Sequence, residues 1–313
     1  MDALAALLDG PRAREAFLLR SVMSPPWSLR VLAESPLTLL AVVRGEMWIV
    51  PDEGEAVRLG PGDVAVTHGR GHYNVSDAPA TSPTIVIHPG QRCESLDGTP
   101  LEAPLSHGVR TWGNDPEGSD VMLVGAYEAM SEVSDRLLRA LPPILSLSRE
   151  EWECPLIPVL SEEVERDEPG QPAVLDRLLD LLLVAFLRAW FARPEAQAPG
   201  WYRAQSDPIV GRALGLMQQH PEHPWTLESL AREASASRAS LARRFRELVG
   251  EPPMAYLTEW RMDLAADLLR EPDATIGSVA RRVGYSSPFA LSTAFKRVRG
   301  VSPQEYREAA RAG

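Results

Sequence analysis

The chain has 313 residues, a length that suggests about two domains at ~100–200 residues each. Apolar residues make up 44% of it, enough for sizeable cores, and two cysteines exclude a disulfide framework. The formal net charge of −11 argues against nucleic-acid binding only if it is spread evenly along the chain.

No N-terminal stretch joins basic residues to a long apolar run, so no secretion signal is expected. Residues 27–90 read as short strands. Leu37–Val43 and Met47–Val50 flank an Arg44-Gly45 turn, and Ala56–Leu59 leads into the turn Gly60-Pro61-Gly62-Asp63. Val64–Thr67 and Thr84–Ile87 add two more strands, a density that suggests a small β-barrel or sandwich. After Asp120 the pattern turns helical, with helices expected over Glu128–Leu141, Leu156–Arg166 and Ala173–Ala192. The most apolar stretch, Leu178–Phe191, is interrupted by Asp180 and Arg188 and is too short for the ~20 residues of a membrane span. A soluble cytoplasmic protein is expected. Arg193–Pro208, with three prolines and a glycine, reads as a linker.

Charge divides at about this linker. From Ser206 onward there are 15 Lys+Arg against 13 Asp+Glu, which leaves 17 against 30 in residues 1–205. The acidic surplus thus belongs to the N-terminal part. A DNA-binding face needs only local basicity, because counterion release depends on the few groups that touch phosphates.

An internal repeat marks the C-terminal part. Thr226-Leu227, Leu230 and Ala231 recur 49 residues later as Thr275-Ile276, Val279 and Ala280. Leu241, Phe245, Gly250, Pro253 and Tyr256 recur 50 residues later as Leu291, Phe295, Gly300, Pro303 and Tyr306. One extra residue therefore sits in the turn of the second unit. Each unit reads as a helix-turn-helix: Thr226 and Thr275 as N-caps, small Ala231 and Ala280 at a helix crossing, and Gly284 (Ser235 in the first unit) as the turn. Ser237 and Ser287 cap the second helices, about Arg238–Leu248 and Pro288–Val298, with Pro288 in the first turn. Away from their apolar faces these helices carry Arg238, Ala239, Ala242, Arg243 and Arg246 in one, and Phe289, Ser292, Thr293, Lys296 and Arg299 in the other. A helix over Pro253–Arg270 would hold the units at a fixed separation.

At these residues the chain resembles the AraC/XylS family of bacterial regulators over about residues 207–310. The most specific match is Ile276-x2-Val279-Ala280-x3-Gly284-Tyr285-Ser286-Ser287-x-Phe289-x-Leu291-x3-Phe295-Lys296, followed by Gly300-Val301-Ser302-Pro303-x2-Tyr306-Arg307. Residues 25–155 resemble the cupin domain of that family through Pro26-Trp27, Gly45, Leu59-x-Pro61-Gly62-Asp63 and Arg110-Thr111-Trp112-Gly113. The resemblance implies an α+β chain: a cupin-like sensing domain over 1–125, a helical dimerisation segment over 126–192, a linker over 193–208, and an all-α DNA-binding domain with two helix-turn-helix units over 209–313. It also implies a homodimer on double-stranded DNA, a small-molecule effector, RNA polymerase as a further partner of an activator, and no cofactor.

The family's base-reading positions fall on Ala239, Ala242 and Arg243 in the first recognition helix and on Pro288, Phe289 and Thr293 in the second. Arg243 suits guanine, whereas Ala239 and Phe289 offer at most an apolar contact to a thymine methyl. The second unit is thus expected to position more than it reads. Arg246, Lys296 and Arg299 are the expected phosphate ligands.

Two alternatives stand beside a ligand-responsive regulator. The first is a metal-dependent cupin enzyme. Such enzymes place an early His-x-His on a strand, and Leu37–Val43 contains no histidine, so no enzyme is expected. His68 and His72 remain as a His-x3-His pair suited to an effector or to zinc, or as ordinary turn and barrel residues. The second alternative is a redox sensor. Cys93 follows Arg92, which is expected to lower its pKa, and Cys154 reads as a small buried hydrophobe. The helix Ala173–Ala192 has an apolar surface wider than one ~100° stripe, so part of it is expected to pair two subunits.

Overall fold

The computed structural model describes residues 17–127 except Arg70, then 138, 141–193 and 198–312. The helix expected over Glu128–Leu141 lies outside the described residues but for Leu138 and Leu141. The described residues fall into two compact units, one holding 17–127 and 142–193, the other 138, 141 and 198–312.

The first unit is two β-sheets that share one core. Its strands are β1 (Phe17–Met23), β2 (Ser28–Val31), β3 (Leu37–Arg44), β4 (Met47–Pro51), β5 (Val57–Leu59), β6 (Val64–His68) and β7 (Tyr73–Ser76). They continue with β8 (Ile85–Ile87), β9 (Cys93–Ser95), β10 (Ser106–Gly108), β11 (Thr111–Trp112), β12 (Asp120–Tyr127) and β13 (Ile144–Leu147). One sheet runs β10-β11-β1-β12-β3-β6-β13 and the other β5-β4-β7-β2-β8-β9. Pairing is antiparallel except for β1 with β11 and β2 with β8. Strand side chains alternate between faces, and β1 shows the result. Phe17, Leu19 and Ser21 line a cavity between the sheets, as do Met122, Val124 and Ala126 of the facing β12.

Packing differs along these strands. Toward Met23 the interior is solid, with Met23, Trp27, Val42, Met47, Ile49 and Leu59 buried together. The Trp27 indole N–H is satisfied there by Asp120 Oδ2 at 2.7 Å. Toward Phe17 the inward side chains of Leu19, Val31, Ile87 and Val124 are only partly covered, and the strands line a partly open cavity of about 270 Å³.

Two helices complete this unit, α1 (Leu156–Val164) and α2 (Gln171–Phe191). Gly125 of β12 lets α2 approach, since a Cβ there would meet Leu179 Cδ1 at 2.6 Å. The broad apolar surface expected of this helix is spent mostly inside the subunit. Leu175, Leu179, Leu182, Leu183, Phe186 and Leu187 are buried, and of its large apolar residues Val174 and Leu181 stand exposed.

The second unit is all helical: α3 (Gly200–Arg203), α4 (Val210–Gln219), α5 (Leu227–Glu233), α6 (Arg238–Val249), α7 (Pro253–Leu269), α8 (Ile276–Arg282), α9 (Pro288–Arg299) and α10 (Pro303–Ala312). It has two cores, one per repeat, and α7 supplies both. Tyr256, Leu257 and Trp260 enter the core built on Leu230, Leu241 and Phe245. Met262, Ala265, Ala266 and Leu269 enter the core built on Val279, Leu291 and Phe295. The joining helix is therefore a shared wall. Part of the stretch read as linker is drawn into this unit as well. Ala204 is buried in the first core with Trp201 packed against it, and Asp207 is ion-paired with Arg244. The Asp207 carboxyl lies below its ordinary range: burial pushes it up, but the Val210 N–H and the Arg244 guanidinium outweigh that.

Candidate nucleic-acid interface and sensor cavity

The two repeat units have the same local chemistry. Thr226 accepts from the Ser229 N–H and Thr275 from the Ser278 N–H, each at 3.1 Å, and each serine returns a bond to the cap residue's N–H. These are capping boxes with serine in the third position. The first helices end alike. Ser235 and Gly284 adopt left-handed φ of 53° and 79°, and the next N–H reaches back to the small residue at the crossing, Ala236 to Ala231 O at 2.9 Å and Tyr285 to Ala280 O at 2.8 Å. This is the Schellman closure, for which glycine is the usual residue because a Cβ strains the left-handed conformation. Ser235 carries that strain. Gly284 has no alternative, since a Cβ would lie 2.8 Å from the carbonyl oxygens of Pro221 and Glu222.

The second helices start at Ser237 and Ser287, whose hydroxyls accept from the Ser240 and Ala290 N–H groups at 3.1 Å. The residues through Ala236 and Tyr285 keep the 49-residue offset, and these caps have the 50-residue one. The inserted residue is therefore Ser286, in the turn. Gly250 and Gly300 close both helices in the left-handed region.

On α6, Arg238, Ala239, Arg243 and Arg246 are exposed and Ala242 is half-buried, while Leu241 and Phe245 face the core. On α9, Pro288, Phe289, Thr293 and Lys296 are exposed and Ser292 is half-buried. Phe289 is 81% exposed, an unusual position for a large apolar ring. Arg243 pairs along its own helix with Glu247 at 2.9 Å, an exposed i,i+4 contact of small worth that a ligand can displace.

Arg299 does not belong with these residues, and its reading as a phosphate ligand is corrected. Its guanidinium bonds Asp263 Oδ1 of α7 at 2.6 Å, with side-chain exposures of 18% and 8%. A buried carboxylate needs a partner, and Arg299 supplies it. The repeat contains the signal: position 299 corresponds to Val249, a half-buried wall residue of the first unit. Arg297 was missed by sequence reasoning. It is exposed one turn beyond Thr293 and corresponds to Glu247, so the i, i+4 row Phe289-Thr293-Arg297 continues the α9 surface with a positive charge.

In the first unit, the cavity wall is mainly apolar and includes no histidine. Its polar members include Ser21, Thr38, Gln91, Glu102, Arg110 and Trp112. His68 and His72 lie elsewhere, along an open groove with Asp52 and Glu53. A ring nitrogen of His68 is bonded to the Pro142 carbonyl at 2.7 Å. Among the described residues no group of three His, Cys, Asp or Glu is disposed to hold a metal ion.

Cys93 does line the cavity, but its chemistry is the reverse of that expected. Burial, together with the Glu102 carboxylate, pushes the thiol up to about 11. Arg92 is instead paired with Glu94 at 2.6 Å. Residues 92 and 94 share one side of the extended backbone and 93 takes the other, so alternation already removes Arg92 from the thiol. Cys154 is buried, which raises its thiol as well. Among the described residues no helix is long and apolar enough to cross a membrane.

Comparison with known proteins gives these features a family. Residues 2–192 match the family described as Cupin, and residues 230–309 match that described as Helix-turn-helix domain. An AraC-like transcription regulator of Streptomyces lividans is 31% identical, covering 98% of both chains. The RCS-specific HTH-type transcriptional activator RclR of Escherichia coli K12 is 32% identical, covering 99% of both. Among solved structures, the DNA-binding domain of the global transcriptional factor AdpA in complex with a target DNA is 38% identical (TM-score 0.33), covering 34% of this chain and 96% of that one. A cupin domain followed by a duplicated helix-turn-helix, with full-length similarity to named regulators, places the chain in the family of AraC-like transcription regulators.

Proposed function

We propose that α6 and α9 are the recognition helices and that each enters the major groove of double-stranded DNA. The observation that carries this reading is the duplicated unit with one shared wall. Helix α7 belongs to both cores, so the exposed faces of α6 and α9 have one fixed spacing within the unit. Arg243 reads guanine, Ala239, Ala242, Pro288, Phe289 and Thr293 make the remaining base contacts, and Arg238, Arg246, Lys296 and Arg297 take phosphates, with Ser287 and Ser292 at the edge of the surface. Four phosphate contacts per chain give a slope of log K against log salt near −3.6, so raising salt from about 50 to 200 mM weakens binding on the order of 10²-fold. The test is titration of the full chain against a random DNA pool at several salt concentrations. Binding without that dependence, or no enrichment of any sequence, would defeat the proposal.

The cavity of the first unit is the proposed effector site, supported by its mainly apolar wall and the polar side chains set into it. The proposed division of labour is sensing by residues 1–125, pairing of two copies through 126–192, and DNA binding by 209–313. The exposed Val174 and Leu181 lie seven residues apart, on one side of α2, which supports a second copy of this chain as the occupant of that face. The relatives' names, as transcription regulators, support a regulatory role for this chain, and that of RclR supports activation.

A further inference from the structure

The most exposed large apolar side chain among the described residues is Phe289, at 81% against 70% for Leu96 and 52% for Leu181. Packing within the chain does not account for such a ring. Its backbone, by contrast, is firmly fixed. Ser287 caps α9 through the Ala290 N–H at 3.1 Å, and Pro288 sets φ at the start of the helix. The Ser292 hydroxyl donates to the Pro288 carbonyl at 2.8 Å. The ring therefore projects from a well-held first turn, the part of a recognition helix that meets base edges.

The chemistry of the groove restricts what this ring can touch. Base edges in the major groove carry hydrogen-bond donors and acceptors and one apolar group, the methyl at C5 of thymine. A phenyl ring against guanine N7 and O6, or against the cytosine amino group, would strip water from polar atoms and return no hydrogen bond. Against a C5 methyl it buries apolar surface on both partners. Thr293 follows Phe289 by one turn on the same row and is exposed. Its hydroxyl can donate or accept. It therefore matches O4 of thymine, an acceptor, as well as the N4 amino group of cytosine, a donor. Ring and hydroxyl together select the methyl and not the base that carries it.

We infer that Phe289 reads the C5 methyl of a pyrimidine in the major groove, so that 5-methylcytosine substitutes for thymine at that position and cytosine methylation raises affinity there. This rests on the reading of α9 as a recognition helix and specifies what that helix recognises.

The test uses the full chain and the sequence enriched from a random DNA pool, with fluorescence anisotropy as the readout. Each thymine of that sequence is replaced singly by uracil, which lacks only the methyl, then by cytosine and by 5-methylcytosine, each paired with guanine. At one position per bound chain, uracil is expected to weaken binding about fourfold, the worth of one buried methyl. Cytosine should weaken it at least as much, and 5-methylcytosine should recover what cytosine loses. Phe289→Ala, which removes an exposed ring and should fold as the wild type does, is expected to abolish the difference between thymine and uracil at that position alone. Uracil equal to thymine at every position would overturn the inference, as would a methyl effect that persists in Phe289→Ala. Affinity lost in Phe289→Ala with no methyl effect would mean a ring wedged between bases, which overturns it too. If 5-methylcytosine binds no better than cytosine, the methylation dependence falls. A pool that yields no enriched sequence defeats the reading of α9 and this inference with it, whereas enrichment without sensitivity to uracil defeats this inference alone.

Discussion

Arg299 and Lys296 are basic residues three positions apart on α9, and the structure gives them opposite roles. Arg299→Ala removes one partner of Asp263, whose side chain is 8% exposed. Breaking a fully buried pair from one side costs about 3–5 kcal/mol when the remaining charge is left uncompensated. Asp263 has further interactions and Arg299 keeps 18% exposure, so the loss is that of one charged hydrogen bond, about 2 kcal/mol, or on the order of 30-fold in an opening equilibrium. Hydrogen exchange read by mass spectrometry on the full chain should locate the effect. Peptides from α9 and the second half of α7 should exchange about 30-fold faster, and peptides from the cupin unit should not change. Replacing both partners by apolar residues, Asp263→Leu with Arg299→Met, should recover most of the loss, because no charge is then left behind. Lys296→Ala should leave exchange within the ~0.5 kcal/mol typical of surface changes and weaken binding to all DNA sequences about equally, reducing the salt slope by about 0.9. Unchanged exchange in Arg299→Ala, with DNA binding reduced as in Lys296→Ala, would refute the assignment of this arginine to the core.

Arg243→Ala should relax base preference at one or two positions, at a cost of about 1–3 kcal/mol, in a selection from random DNA; an unaltered profile removes Arg243 from base readout. Dimerisation separates two adjacent leucines: Leu181, 52% exposed, should give a folded monomer by sedimentation when changed to Glu, whereas Leu182, fully buried, should give an unfolded unit. A wild-type chain that sediments as a monomer at tens of micromolar would end the dimer reading. With its pKa raised to about 11, Cys93 should react with iodoacetamide roughly two orders of magnitude more slowly than an ordinary exposed thiol at pH 8, because only the thiolate attacks. Its rate should climb about tenfold per pH unit between pH 8 and 10, and a plateau near pH 8, followed by mass spectrometry, would contradict the raised value.

What could be read from the sequence was what depends on neighbours along the chain. Caps, turns and helix faces are such features: Thr226, Ser237, Thr275, Ser287 and Gly284 each act within a few residues, and the duplication made the pattern legible twice. The single insertion was legible too, and the structure assigns it to Ser286. The strands around Gly45 and Gly62 followed from alternation and turn chemistry for the same reason. Tertiary structure decided whatever depends on residues distant in sequence. Arg299 resembles its neighbour Lys296 until Asp263, 36 positions earlier, is brought against it. How far the apolar surface of α2 is used inside one subunit depended on the approach allowed by Gly125 and could not be inferred from the helix alone. The cavity is the clearest case. Each inward residue is an ordinary strand hydrophobe, and only the summed side-chain volumes of both sheets determine that the Met23 end fills while the Phe17 end stays hollow.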